Sequence, residues 1–141
     1  MIQRKQTVWL LLAAICAFGT YWLPIYKGNV SGGAEKQLIL PDHFLLFLIV
    51  FCLGILSAVI VFLFKNRPLQ FRLCLLGIIL ALAALVLEYT TTEAFKQANS
   101  FLSGSYQLGA FLPFVIIILL IFAVRSIRKD EKLVKSLDRL R

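Results

Sequence analysis

The sequence has few of the side chains on which enzyme active sites and metal centres depend. It contains a single histidine, His43, and three cysteines, Cys16, Cys52 and Cys74, none of which forms a CxxC pair. It also has no HExxH motif, no glycine-rich phosphate loop and no recognisable Ser, His and Asp set. We therefore expect no catalytic residues, no metal and no cofactor, and we interpret the cysteines as small buried apolar side chains.

Charge is equally scarce inside the long apolar stretches, none of which has an acidic or basic side chain near its centre. Proton relays and ion pathways through membranes depend on such side chains. Glu88 ends the third stretch, about fifteen residues after Leu73, which places it ~22 Å along a helix and at the membrane interface. His43 beside Asp42 is a conceivable proton-transfer pair, but a structural role is favoured for a single interfacial histidine.

What the sequence has in abundance is apolar side chains. They make up 60% of its 141 residues, and the mean hydropathy is +0.88, more than a soluble domain of this size carries. Four stretches have the ~17 to 25 residues that a helix needs to cross a bilayer: 8–26, 43–64, 69–89 and 106–124. They lack the alternation of barrel strands, so we predict an all-α fold, a four-helix transmembrane bundle over residues 1–124. We interpret the first stretch as a retained helix, not a secretory signal, because no polar cleavage region follows it.

The basic residues predict an orientation for this bundle. Fifteen Lys and Arg against seven Asp and Glu give a net charge of +8, and twelve of the fifteen lie before the first stretch, within 65–72, or after the fourth stretch. The positive-inside rule then places both termini and the 65–72 turn in the cytoplasm, and the 27–42 and 90–105 loops outside. Because the charges cluster between apolar stretches, the basic balance does not indicate nucleic acid.

The connections between stretches carry further signals. KNRPLQFR is so short that the second and third helices must be antiparallel neighbours, and Pro68 disfavours a continuous helix through the turn. Pro41 and Asp42 indicate the start of the second helix. Helical spacing predicts a short helix on the membrane surface, formed by Phe95, Ala98, Phe101 and Leu102.

Two features concern packing inside the spans. Pro113 lies within the fourth stretch, where we expect it to kink the helix. Small residues recur at helical spacing and let helix backbones approach closely, so we expect them to face the protein's own bundle. They are Ala13 with Ala17, Gly54 with Ala58, and Gly77 with Ala81 and Ala84.

Residues 125–141, called the tail below, are predicted to form a basic amphipathic helix in the cytoplasm that continues from the fourth span. Its charges and apolar stripe suit anionic lipid headgroups at the inner face, or a membrane or cytoplasmic protein partner. A tail that only sets the topology is the other interpretation. The candidate contact residues are Arg67, Arg72, Arg128, Lys132, Leu133, Val134, Leu137 and Leu140.

Four stretches carry a resemblance to a known family: MIQRKQT, NRPLQFRLC, YQLGAFLPF and RSIRKDEKLVKSLDRLR. Together they resemble the four-span bacterial membrane proteins grouped as domain of unknown function 4293. The resemblance covers the whole chain and implies a multi-pass protein of the bacterial inner membrane. It brings no catalytic residues with it.

These signals favour a noncatalytic membrane protein, an accessory or scaffolding subunit that binds lipid headgroups or a partner at its cytoplasmic face. The alternative is a small transporter or channel component. Transport by the purified protein in liposomes, lost on changing Glu88 or His43, distinguishes the two.

Overall fold

A computed structural model describes residues 5–30, 35–63, 66–99 and 101–138. Within these ranges the chain forms four α-helices: α1 (Lys5–Gly19), α2 (Phe44–Phe62), α3 (Arg67–Asn99) and α4 (Leu108–Asp138). It also forms three strands: β1 (Tyr26–Val30), β2 (Glu35–Leu38) and β3 (Phe101–Tyr106). The prediction of a mainly helical protein is confirmed, and the prediction that it is all-α is wrong, because the strands join into one sheet.

The helices pack as a bundle in which each contacts the next along the chain and α4 closes against α1. Small residues lie where the helices approach each other: Ala13, Ala17, Ala81 and Ala84 are all buried. A side chain added at Gly77 would bring its Cβ within 3.3 Å of Leu120 on α4. The prediction that small residues face the protein's own bundle is thus confirmed for these residues and for buried Gly54, whereas Ala58 is only half-buried.

Three of the described helices, α2, α3 and α4, are long and apolar enough to cross a membrane. The apolar part of α1, Thr7–Gly19, is shorter; the 15 residues of α1 extend ~22 Å, against a hydrocarbon core of ~30 Å. Large apolar side chains such as Phe44, Phe62 and Ile79 are exposed around the bundle. Such a surface suits lipid as the surrounding solvent.

The first helix ends earlier than its apolar stretch predicted. It stops at Gly19, and Tyr26, the predicted end of the span, begins β1. Pro24 prevents the helix from continuing to Tyr26, because proline disfavours helical geometry at the preceding residue, Leu23. The Thr20 hydroxyl and backbone N–H both donate to the Cys16 carbonyl, at 3.0 and 3.1 Å, which closes the last turn.

The sheet joins both connections that were predicted to be loops. Its order is β2-β1-β3 with both pairs antiparallel, so β1 is central. Tyr26 lies opposite Leu38 on one side and Tyr106 on the other, and Gly28 lies opposite Gly104. Strand pairing gives hydrogen-bond partners to backbone N–H and C=O groups that, in unpaired loops, would bond to water. The end of the bundle that carries this sheet is called the sheet end below.

The third helix continues to Asn99, ten residues past its predicted end, and the predicted surface helix is wrong because Phe101 opens β3. The added segment, TTTEAFKQAN, has no Gly or Pro to stop a helix. The Thr92 hydroxyl donates to the Glu88 carbonyl at 2.8 Å within the same helix. At 33 residues, α3 extends ~50 Å and exceeds the ~30 Å hydrocarbon core.

The starts of α2 and α4 are set by local contacts. Residues Leu40–Asp42 form a 3₁₀ helix, so α2 begins only at Phe44, and the prediction that Asp42 starts it is wrong. His43 precedes α2 without a capping hydrogen bond from its side chain. At α4, the Gly109 N–H donates to the Pro24 carbonyl at 3.1 Å, which satisfies one of the free amides of the first turn.

The fourth helix runs unbroken from Leu108 to Asp138 with Pro113 inside it. This confirms that the tail is helical and continues from the fourth span as far as Asp138; the last three residues lie outside the described ranges. The kink at Pro113 stays a prediction. Of the cysteines, all are free; Cys74 is buried as expected, whereas Cys52 is exposed on α2, so the prediction of burial is wrong for it.

Candidate functional site

Two basic side chains link α3 to α4 at the end of the bundle opposite the sheet, called the hairpin end because α2 and α3 are joined there. The Arg67 guanidinium donates to the Asp130 carbonyl at 3.4 Å. The Arg128 guanidinium carbon lies 4.7 Å from the centre of the Phe71 ring, a cation–π contact. Two of the predicted contact residues are therefore brought to one place, and both already have partners within the protein.

Gln70 is a residue of this end that sequence reasoning missed. Its side chain is buried, and its amide nitrogen donates to the Ile60 carbonyl at 3.2 Å. That carbonyl belongs to the last turn of α2, where carbonyls lack helical partners, and it also accepts the Leu63 N–H at 3.2 Å. The Gln70 side-chain oxygen has no hydrogen-bond partner among the described residues. The signal was available: a polar amide two residues after a proline in the first turn of a helix, in the stretch RPLQ.

The other predicted contact residues are placed less completely. Arg72 is exposed on α3. Lys132, Leu133, Val134 and Leu137 lie within α4, and their side chains are outside the described part, as is the whole of Leu140. Ile127, the first residue of the apolar stripe, is fully buried in the bundle core. The apolar stripe of the tail therefore begins, at Ile127, as part of the bundle core.

A second cluster lies at the sheet end, where α3 meets the sheet. The Lys96 ammonium donates to the Glu93 carboxylate and to the Tyr106 hydroxyl, both at 2.8 Å. It also lies 5.1 Å from the centre of the Tyr26 ring and 4.5 Å from that of Tyr106. The hydrogen bond to Glu93, with that to Tyr106, raises the pKa of Lys96 above its ordinary value. Sequence reasoning missed this cluster, since its members come together only through the sheet.

Glu88 is the acidic residue that the structure places most unexpectedly. Its position at the membrane interface stays a prediction; the structure places it toward the sheet end of α3, with its side chain only 6% exposed. It faces a cavity of about 210 Å³ between α3, α4 and β3. The cavity is lined by Leu85, Glu88, Tyr89, Thr92, Tyr106, Ala110 and Phe111.

The Glu88 carboxyl takes part in neither of the two ion pairs found among the described residues, Lys27 with Glu35 and Lys96 with Glu93. In the same part of the chain, no three His, Cys, Asp and Glu side chains are close enough together to hold a metal ion. Among the residues that line this mainly apolar cavity, Glu88 is the one acidic side chain, and the other polar side chains are those of Tyr89, Thr92 and Tyr106.

Comparison with known proteins gives one match. The family model described as "Domain of unknown function (DUF4293)" matches residues 2–140. No curated protein and no solved structure matches the chain. The matched region includes every described residue of both ends of the bundle.

Proposed function

The chain belongs to this family of the domain of unknown function (DUF4293), and from that premise we propose that it is a noncatalytic multi-pass protein of the bacterial inner membrane. In this proposal it has four spans with both termini in the cytoplasm, so the hairpin end faces inward. It acts there as an accessory or scaffolding subunit that binds anionic lipid headgroups or a protein partner.

The observation that carries the proposal is the length of α4. Its 31 residues extend ~46 Å, about 16 Å more than the hydrocarbon core requires. The excess belongs to the tail, where Arg125, Arg128 and Lys129 lead into further basic residues. A rigid basic helix that leaves the membrane from a packed bundle is suited to hold headgroups or a partner at a fixed distance.

The contacts at the hairpin end support the same function. Arg67 and Phe71 on α3 hold Asp130 and Arg128 on α4, so the first turn of the tail is fixed to the bundle. A tail whose base is already fixed loses less conformational entropy when a partner binds it. Exposed Arg72 adds positive charge beside this base.

An arrangement with four spans requires α1 to cross the membrane although it is shorter than the other helices. It packs against both α2 and α4, and these contacts hold it in the same layer as the longer helices. Tyr21 and Trp22 are exposed just beyond its end, where aromatic rings favour the headgroup zone. A short apolar helix is accommodated by local thinning of the bilayer, at a fraction of a kcal/mol for each Å.

Purification from the native membrane in mild detergent, followed by mass spectrometry, tests the proposal. We expect a stoichiometric partner, or retained anionic lipid, that is lost when residues 131–141 are deleted. The control variant keeps the tail and has Lys27 and Lys36 at the sheet end replaced by Gln. It should keep the partner or the anionic lipid. Recovery of the chain alone, with no enrichment of anionic lipid, would contradict the proposal.

One observation favours the alternative, a small transporter or channel component: the buried carboxyl of Glu88 beside a cavity. Acidic residues inside membrane bundles commonly mark substrate or ion pathways. Solute or ion movement into liposomes that contain the purified chain, abolished by Glu88→Gln, would favour the transporter over the scaffold. Liposomes as impermeable as protein-free ones would count against it.

A further inference from the structure

We propose that the cavity around Glu88 binds a small organic monocation, a protonated or quaternary amine with an apolar substituent. This site lies at the sheet end, away from the tail, so it goes beyond the function proposed above. Three observations carry it: the shape and lining of the cavity, the lack of a compensating charge inside the protein, and the aromatic rings at the cavity mouth.

The cavity is formed where α3, β3 and α4 meet. Leu85, Glu88 and Thr92 come from one face of α3, since they recur at intervals of three and four residues. Ala110 on α4 leaves space opposite them because its side chain is a single methyl group. The volume of about 210 Å³ is about seven times the ~30 Å³ that one water molecule occupies in the liquid. A small organic group fits a space of this size.

No cation of the described chain compensates the Glu88 carboxylate. Thr92 directs its hydroxyl to the main-chain carbonyl of Glu88, at 2.8 Å, and not to the carboxylate. Lys96 lies ~12 Å further along the helix, and its ammonium is held by Glu93 and Tyr106. Residues 108–124 of α4 and the strand β3 carry no charged side chain.

Burial disfavours the charged form of a carboxyl group, because transfer from water removes its hydration and a group without a partner neutralises instead. A cation bound beside the group favours the charged form. The lining is chiefly apolar, with one carboxylate, so it lacks the six to eight oxygen ligands that a calcium ion requires. An amine needs fewer polar contacts and gains from apolar walls.

Aromatic rings complete the match to an organic cation. Tyr89, Tyr106 and Phe111 line the cavity, and each is more than two-fifths exposed, at 61%, 45% and 59%. They therefore lie at its open side. The faces of such rings attract ammonium groups. The Tyr106 ring already has the Lys96 ammonium 4.5 Å from its centre, so the rings of Tyr89 and Phe111 are the ones left for a ligand. A carboxylate at the base and rings at the mouth thus favour a cationic head with an apolar substituent.

The test measures binding of benzyltrimethylammonium to the full chain in nanodiscs of zwitterionic lipid, by isothermal titration or ligand-observed NMR. Benzyl alcohol is the neutral probe, and empty nanodiscs correct for partition into lipid. We expect saturable binding of the cation only. Glu88→Gln should weaken it at least ~10-fold, whereas Glu35→Gln, which removes a carboxylate from the same end outside the cavity, should leave it unchanged within about twofold.

A second variant keeps the proposal falsifiable if Glu88→Gln fails to fold. Ala110→Leu fills the cavity and retains the carboxylate, and it should also abolish saturable binding, with helicity and elution volume checked for each variant. The proposal is overturned if the wild-type chain shows no saturable binding up to ~10 mM probe, or if folded Glu88→Gln or Ala110→Leu binds as the wild type does. Because these assays do not involve the tail, a negative result here leaves the scaffold proposal to its own test.

Discussion

The side chain of Gln70 on α3 closes the end of α2, with its amide nitrogen 3.2 Å from the carbonyl oxygen of Ile60. The two residues lie ten positions apart on either side of the connection between the helices. The contact therefore fixes how far α3 slides along α2, a parameter that apolar packing alone specifies poorly. It gives the RPLQ stretch a structural role.

Replacement of Gln70 by Leu should lower the free energy of unfolding by about 1 kcal/mol, since one buried hydrogen bond is lost. The effect stays moderate because the Ile60 carbonyl keeps the Leu63 N–H and the unpartnered Gln70 oxygen is removed as well. Unfolding in mixed detergent micelles measures the difference. Gln97→Leu is the matched control on the exposed part of α3, and an equal loss for both variants would contradict the capping role.

Gly104→Ala should destabilise the sheet. The added Cβ would collide with the Tyr26 side chain, which covers Gly104, and relief of such overpacking costs about 1 to 3 kcal/mol. Gly19→Ala is the control, because no atom lies within 4 Å of a Cβ built there. Thermal unfolding should show a lower midpoint for the first variant only. Tyr26→Ala destabilises the chain by itself because Tyr26 is buried, but the loss in the double variant should be smaller than the sum of the two single losses; a purely additive double variant would show that the ring is not the obstacle.

Lys96→Met should destabilise the sheet end by about 1 kcal/mol, the sum expected for a partly exposed ion pair and its ring contacts. The folded-state pKa of Lys96 is raised, so its contribution is fully present below its ordinary pKa of ~10.4 and is lost only as pH rises past it. The difference from wild type should therefore be constant from about pH 6 to 9. A difference that shrinks across that range would show that Lys96 is not the charged partner; Lys129→Met serves as the control.

The orientation proposed from the positive-inside rule predicts the result of reporter fusions. Fusions after Arg141 and within 65–72 should report a cytoplasmic position, whereas fusions near Gly32 and Ser100 should report an external one. Paired alkaline phosphatase and fluorescent reporters at each site check the result in both directions. An external C-terminus would refute the assignment.

The apolar stripe of the tail should matter independently of its charge. Ser at Leu133, Val134, Leu137 and Leu140 should release a bound partner or expose the tail to protease, without a change in membrane insertion. Neutral residues at Lys132 and Lys135 should weaken attachment at low salt only, because surface charges are screened beyond ~8 Å at physiological ionic strength. If the four-Ser variant keeps both its partner and its protease resistance, the tail is only a topology signal.

The accuracy of sequence-based prediction differed between helices and strands for a physical reason. Continuous apolarity over 43–64 and 106–124 located α2 and α4 well, because a helix there depends on local sequence and surrounding lipid. The strands YKGNV and FLSGSY have strand formers at their ends, but Gly, Asn and Ser interrupt the apolar pattern between them. Their pairing joins Tyr26 to Tyr106, which are far apart along the chain, so no local pattern could reveal it.

In the candidate sites, too, features set by local sequence were predictable and features set by long-range packing were not. Position along the helix placed Glu88 near an interface, but its burial depends on how α4 packs against α3, which periodicity does not specify. The early end of α1 was predictable, since Pro24 lies inside the apolar stretch that was assigned to one span. The contact of Arg128 with Phe71 was not predictable, because it depends on the relative rotation of two helices.

The central position of β1 has a consequence for how the chain can be divided. It pairs with β2 from the first half of the chain and with β3 from the second, so each half contains two helices and a part of one sheet. A break in the peptide chain within 63–66 would leave both halves with complementary strand edges and complementary helix faces. When the two halves are co-expressed as separate polypeptides, we expect them to assemble through their helix faces and through the pairing of β1 with β3.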